Sequence, residues 1–295
     1  MEHKAFVAAL PPATRQALTE RSDAAGLRHL ALHGGAILAL GIAIAARVPG
    51  WPLLLPVQGV CLAFLFTLQH EATHKTPFAS ARLNEWVGHV TGLLIVQPFE
   101  WFRYFHLAHH RHTNDPDHDP ELAAPKPGDW PALLWHLSTP GYWRDKAAVL
   151  RTNAFGRIEA PYLPARVHPR LRREARAMLA AYALAAVLMA TVAPWLFTAW
   201  LLPLALGFPV LRLYLLAEHG RCPAVADMFA NTRTTTTTRL VRFLAWNMPY
   251  HAEHHAMPSV PFHRLPALHA LARPHLQETE DGYARFAARY AASLR

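Results

Sequence analysis

The chain has little charge and almost no cysteine. Only 17% of its 295 residues are Asp, Glu, Lys or Arg, against about a quarter in an ordinary soluble domain. Its two cysteines, Cys61 and Cys222, form no C-x-x-C pair, which argues against a disulfide framework or an iron–sulfur site. No G-x-G-x-x-G fingerprint, haem-binding domain or internal repeat is present. Residues 1–26 contain no apolar stretch followed by a small-residue cleavage site, so no signal peptide is expected. The formal net charge is +9, yet no basic stripe carries interleaved stacking aromatics, and nucleic acid is not an expected partner.

Apolar residues are abundant, at 52% of the chain, and they are bunched. A membrane helix needs about 20 mostly apolar residues. Four runs qualify: 29–48, 52–69, 176–194 and 196–217. A fifth, 86–102, is short and interrupted by His89, Pro98 and Glu100, and reads as a half-inserted segment. The stretch WPALLWHLSTPGYW (130–143) suits an interfacial helix. Lys4, Arg15, Arg21 and Arg28 precede the first run and arginines crowd 103–175, whereas the connectors 49–51 and 194–196 carry no Lys or Arg. The positive-inside rule then puts both termini and the 103–175 insertion in the cytoplasm.

The expected fold is therefore all-α and integral to a membrane. About four transmembrane helices form two hairpins, with a helical cytoplasmic cap carrying the histidines described next. Residues 1–295 are read as a single membrane-embedded domain. It comprises a cytoplasmic segment 1–28, spans within 29–217 and a cytoplasmic part 218–295. The threonine run Thr234–Thr238 is expected to be a loop near the surface.

Of the twenty histidines, three groups stand out by spacing. The first is His70 and His74 in HEATH. The second is His106, His109 and His110, and the third is His251, His254 and His255, both with the pattern H-x-x-H-H. On a helix, residues at i, i+3 and i+4 share a face, so each group aims its imidazoles at one point. Each also follows an apolar segment. His219, at the end of the last run, is placed to join them. His112 falls off the shared face of its group and is left outside the set, as is His118. His29, His33, His89, His136, His168, His263, His269 and His275 are read as ordinary structural or surface histidines.

HEATH by itself also fits the H-E-x-x-H signature of zinc proteases, with Glu71 as general base. A catalytic zinc needs three protein ligands and an open position, and eight or nine convergent histidines exceed that. They suit two metals with about four to five nitrogen ligands each. Imidazole serves iron, zinc, copper or nickel, so the ligands alone do not name the metal. Metal-bound imidazoles commonly donate their other N–H to a carboxylate, which makes Glu71, Asp115, Asp119, Glu218 and Glu253 candidate partners. For Asp115 to Asp119 the plainer reading is an Asx-type turn.

At HEATH, HLAHHRHTNDPDHDPEL and NMPYHAEHHAMPSVPFHRLPALH the chain resembles the membrane fatty-acid desaturase and hydroxylase superfamily, which includes acyl-lipid desaturases, carotenoid ketolases and alkane- and xylene-type monooxygenases. In order and spacing the resemblance runs over roughly residues 30 to 272. It implies a di-iron centre held by His70, His74, His106, His109, His110, His251, His254 and His255, with His219 as an additional ligand. It also implies O2 as oxidant and an external supply of electrons. One departure is Met248-Pro249 ahead of Tyr250, where many relatives carry an Asn-rich run; Asn247 stands beside it as a candidate supporting group.

The expected activity is O2-dependent attack on unactivated C–H bonds of a lipophilic substrate such as an acyl chain, foremost desaturation. Electrons would come from a separate ferredoxin-like or cytochrome-like carrier, steered by a basic face including Arg166, Arg170, Arg172 and Arg173. The expected location is a bacterial inner membrane. Rival readings are a hydroxylase or ketolase of the same superfamily, a membrane zinc protease using HEATH, and a metal transporter; the last would need ionisable residues midway along the spans.

Overall fold

A serine starts the first long helix. In the computed structural model, which describes residues 1–295, two short helices, α1 (His3–Ala9) and α2 (Pro12–Leu18), precede α3 (Asp23–Ala45). The Ser22 side chain accepts from the Ala25 amide, a cap that opens α3 ahead of the apolar run. After a left-handed Gly50, α4 (Leu54–Ala63) and α5 (Leu65–Thr73) carry the chain into HEATH. The 86–102 segment is divided between α6 (Ala81–Leu94) and α7 (Phe99–His112). Val96 with φ 59° and Pro98 separate them.

The stretch expected as one interfacial helix over 130–143 is two: α8 (Trp130–Ser138) and α9 (Pro140–Phe155). Thr139, at φ 70°, breaks the first, and Pro140 restarts the chain at the helix position where its missing N–H costs nothing. Then come α10 (His168–Thr191) and α11 (Leu202–His219), the latter entered through a π-helical turn at Phe197–Leu201. The C-terminal part holds α12 (Met228–Asn231), strand β1 (Thr234–Thr236), α13 (Arg239–Leu244), α14 (His251–Ala256), α15 (Leu265–Ala272), strand β2 (Thr279–Asp281) and α16 (Tyr283–Ala292).

Four stretches are long and apolar enough to cross a membrane: Pro12–Ala45, Trp51–Thr73, Ala165–Thr191 and Phe197–His219. They overlap the four expected runs. Leu32, Leu38 and Ile42 on α3 and Leu184 and Val187 on α10 are exposed, as faces that meet lipid can be. The protein is all-α and integral to a membrane, apart from one pair of three-residue strands.

That pair corrects the reading of the threonine run. Thr234–Thr236 is not a surface loop but β1, parallel to β2 with Thr234 opposite Thr279, and Thr234 and Thr235 are buried. Branched threonine suits a pleated strand, and the Thr234 hydroxyl donates to Glu253 of α14.

Helices α4 and α11 pack closely against each other. A Cβ on Gly59 would run into the Pro203 carbonyl, and one on Gly207 into the backbone of Gly59. This approach sets α11, which ends at His219, against the helices that deliver His70 and His74. Small residues let membrane helices meet this closely.

Candidate metal centre

Four elements bring the histidines together. His70 lies in the last turn of α5 and His74 caps its end. His106, His109 and His110 occupy the C-terminal turns of α7, and α14 carries His251, His254 and His255. His219 ends α11. The nine converge as two neighbouring groups. Ligand atoms of His70, His74, His106, His110 and His254 all lie within 4.8 Å of one another, and so do those of His109, His219 and His255. His251 joins the second group: its Nε2 is 3.2 Å from His219 Nε2 and 3.1 Å from His255 Nε2.

The rings face one another with their nitrogens. His74 Nε2 is 2.9 Å from His106 Nε2, and His109 Nε2 is 3.2 Å from His219 Nε2. Both ring nitrogens of His70, His110 and His254 are buried without any hydrogen-bond partner. An apolar core has no use for such an arrangement, because a stranded buried polar group costs on the order of 1–3 kcal/mol. Imidazole nitrogens bound to one metal at about 2.0–2.1 Å stand roughly 3–4 Å apart, so the donor set fits cations between the rings.

The outward edges support this. His109 Nδ1 is 3.0 Å from both oxygens of Asp119 and 3.1 Å from Glu121. Thr113 donates to the His109 carbonyl, so its hydroxyl oxygen accepts from His255 Nδ1 at 3.1 Å. His219 Nδ1 faces the Asn231 carbonyl at 3.4 Å. Carboxylates of Glu218 and Glu71 face Nδ1 of His251 and His254, each at 3.5 Å. A proton held on Nδ1 leaves the Nε2 lone pair directed inward, the form a metal requires.

Burial, reinforced by neighbouring histidines, pushes His106, His110, His251, His254 and His255 well below the ordinary histidine range. Burial alone takes His74 down to about 3. They are neutral at physiological pH, and neutral imidazole is the binding form. His109 is the exception. Burial pulls it down, but Glu121 and Asp119 outweigh that and raise it. For Asp119, burial opposes the charge, and His109 together with the Glu121 and Asn114 amides holds the carboxyl below its usual range.

A sequence model of the family described as Fatty acid desaturase matches residues 49–287, a stretch that contains all nine histidines. The chain belongs to the fatty acid desaturase family. It is 36% identical over 69 residues to the omega-3 fatty acid desaturase, endoplasmic reticulum, of Vigna radiata var. radiata, covering 23% of this chain and 18% of that protein. It is 39% identical over 79 residues to the sn-1 oleoyl-lipid 12-desaturase of Arthrospira platensis, covering 25% and 21%. Over 80 residues it is 32% identical to the sn-1 acyl-lipid omega-3 desaturase (ferredoxin) of a Synechocystis strain, covering 26% and 22%. The matched stretch thus spans about a fifth of the length of these desaturases.

Several supporting residues of this family member lie away from their expected places. Glu71 does not orient His70 or His74. It accepts from Thr76 and from the Phe262 amide and faces His254, so it sits in packed protein and not beside an open metal position as a protease base would. Asp115 meets none of the nine: it bonds His118 and the Asp117 amide, as an Asx turn does. Asn247 donates to the Phe262 carbonyl. Glu253 turns away from the cluster to Thr234 and His269, which anchors α14 from behind. Glu121, Thr113, Asn231 and His269 were missed. Glu121 could have been found, since it follows Asp119 in DPEL; Asn231 and His269 carry no local signal.

A cavity of about 700 Å³ opens onto His70, His106, His109, His219 and His251. Phe66, Trp101, Phe102 and Phe105 give it apolar walls.

Proposed function

We propose that this chain is an O2-dependent di-iron oxidoreductase that introduces a double bond into a fatty acyl chain. The convergence of nine imidazoles in two groups, at the wall of a cavity partly lined by aromatic rings, carries the reading. His70, His74, His106, His110 and His254 would hold one iron; His109, His219, His251 and His255 would hold the other. When bound, the iron pair would supply what no side chain can, an oxidant made from O2 that is strong enough for an unactivated C–H bond.

The protein's own part is placement. Asp119, Glu121, Glu218 and Glu71 keep the outer edges of His109, His251 and His254 in register. The aromatic walls exclude water and align the chain, and alignment of the reacting carbon decides between losing a second hydrogen and gaining an oxygen. The relatives named as acyl-lipid desaturases support the first outcome.

Electrons would come from a separate ferredoxin-like or cytochrome-like carrier, in keeping with the relative whose name includes ferredoxin. The histidines would lie on the cytoplasmic side of a bacterial inner membrane, with both termini, as the Lys and Arg distribution favours. The test is metal analysis of the purified chain together with mass spectrometry of lipids from expressing cells. Paired iron, and acyl products lighter by one H2, are expected. One zinc per chain, or products heavier by one oxygen, would overturn the proposal.

A further inference from the structure

The cavity is walled by three helical stripes. Arg212, Leu215 and His219 line it from α11 at i, i+3 and i+7, and Tyr142, Lys146 and Val149 line it from α9 at i, i+4 and i+7; each set occupies one helix face. From α7 come Trp101 and, further along, His109. Arg212 lies two turns before His219, a rise of roughly 10 Å at 1.5 Å per residue. Lys146 Nζ lies over the Trp101 ring, 4.5 Å from its centroid, and Trp101 precedes His109 by about 12 Å of helix. Two helices thus place the same pair of cations at similar distances from the histidines.

The two cations flank one ring. Lys146 Nζ is 5.1 Å and Arg212 Cζ 5.7 Å from the Tyr142 centroid. Neither makes a direct ion pair, although Glu121, Asp145 and Glu218 also line the cavity. Asp145, next to Lys146, pairs instead with Arg144. Arg212 donates to His136 Nδ1 at 2.8 Å, while its buried Nε has no acceptor. His136 brings no negative charge, being pushed down to about 4 by burial and by Arg212 itself. A charged residue inside a candidate membrane span is rare and normally paired. Here Lys146 and Arg212 share a partly apolar cavity without a direct ion pair.

We propose that Lys146 and Arg212 bind an oxyanion attached to the acyl substrate, a carboxylate or a phosphate, and so hold the chain at one end while its interior carbons lie beside the histidines. This rests on the acyl reading above and adds the class of substrate: an anionic acyl compound rather than a neutral one. Arginine and lysine together suit either oxyanion, the first through its fork of donors and the second as a point charge.

The test is calorimetric titration of the purified, metal-loaded full chain in neutral detergent with oleate, oleoyl lysophosphatidate and oleyl alcohol. The wild type should bind one or both anions at least about tenfold more tightly than the alcohol, as expected for a hydrogen bond to a charged group. The tighter anion identifies the source. Lys146→Gln and Arg212→Gln should each remove most of that preference while keeping alcohol binding, iron content and melting temperature, and Lys146→Arg should retain it. Equal binding of all three compounds, or a preference untouched in both glutamine variants, overturns the inference and leaves the acyl reading standing. Failure of all three to bind overturns both.

Discussion

At the scale of the residue, the nine histidines are expensive as they stand. His70, His110 and His254 have no hydrogen-bond partner on either ring nitrogen, and bound metal relieves that cost. His110→Ala and His254→Ala should each leave the purified chain depleted of iron and inactive. His118→Ala, on an exposed ring paired with Asp115, should leave both at wild-type levels; metal analysis beside a turnover assay checks this. Lys146 gives a pH signature. Burial, followed by Arg212, lowers it to about 7, with Asp145 pulling the other way; Trp101 and Tyr142 cover it from α7 and α9. A bound anion favours the charged ammonium. The preference for oleate over oleyl alcohol should therefore be full between the carboxyl's own pKa and about pH 7 and fade above it, and Lys146→Arg should flatten the upper limb. For folding, the sign is reversed. The lysine's folded pKa lies below its unfolded value of about 10.4, so the cost of burying it is full below about pH 7 and shrinks as the pH rises toward 10.4.

At the scale of the element, the geometry of the site depends on how helices approach and what braces them. Gly59 and Gly207 let α4 and α11 touch through backbone. Gly59→Leu should force them apart at a cost of about 1–3 kcal/mol or more, read as a lowered melting temperature, and should displace His219 enough to reduce iron content. The small sheet braces α14 from outside. Thr234→Val keeps the shape but removes a donor from fully buried Glu253. A loss of about 1–3 kcal/mol is expected, measured by thermal unfolding of the metal-loaded chain.

At the scale of the whole molecule, the basic insertion would give the proposed carrier a docking surface. Arg166, Arg170 and Arg173 are exposed, whereas Arg172 is half-buried and turned toward the Ala154 and Gly156 carbonyls. Turnover with an acidic ferredoxin should slow as ionic strength rises, because steering between charged surfaces is screened. Neutralising Arg166, Arg170 and Arg173 together should lower the rate at low salt and flatten that dependence, while Arg172→Gln should do so far less. Stopped-flow reduction across a salt series distinguishes the two.

Local rules made much of this legible in advance. Apolar runs of spanning length predicted the four long helices, because lipid demands apolar side chains over a fixed thickness. The i, i+3, i+4 spacing predicted which imidazoles share a face, because that depends only on helix periodicity. Asp115 and Asp119 show the limit: both lie in one acidic turn, yet only Asp119 reaches His109, since the turn's own backbone bonds decide which carboxylate points inward. Glu253 sits between two box histidines in sequence but faces Thr234 and His269, which are distant along the chain. The threonine run became a strand only because β2 lies beside it. Which cations share the cavity, and that Lys146 and Arg212 stand there without a direct ion pair, depended on α7, α9 and α11 meeting. Periodicity is a property of one segment and the sequence determined it; pairing across segments is a property of packing, and only the tertiary structure decided it.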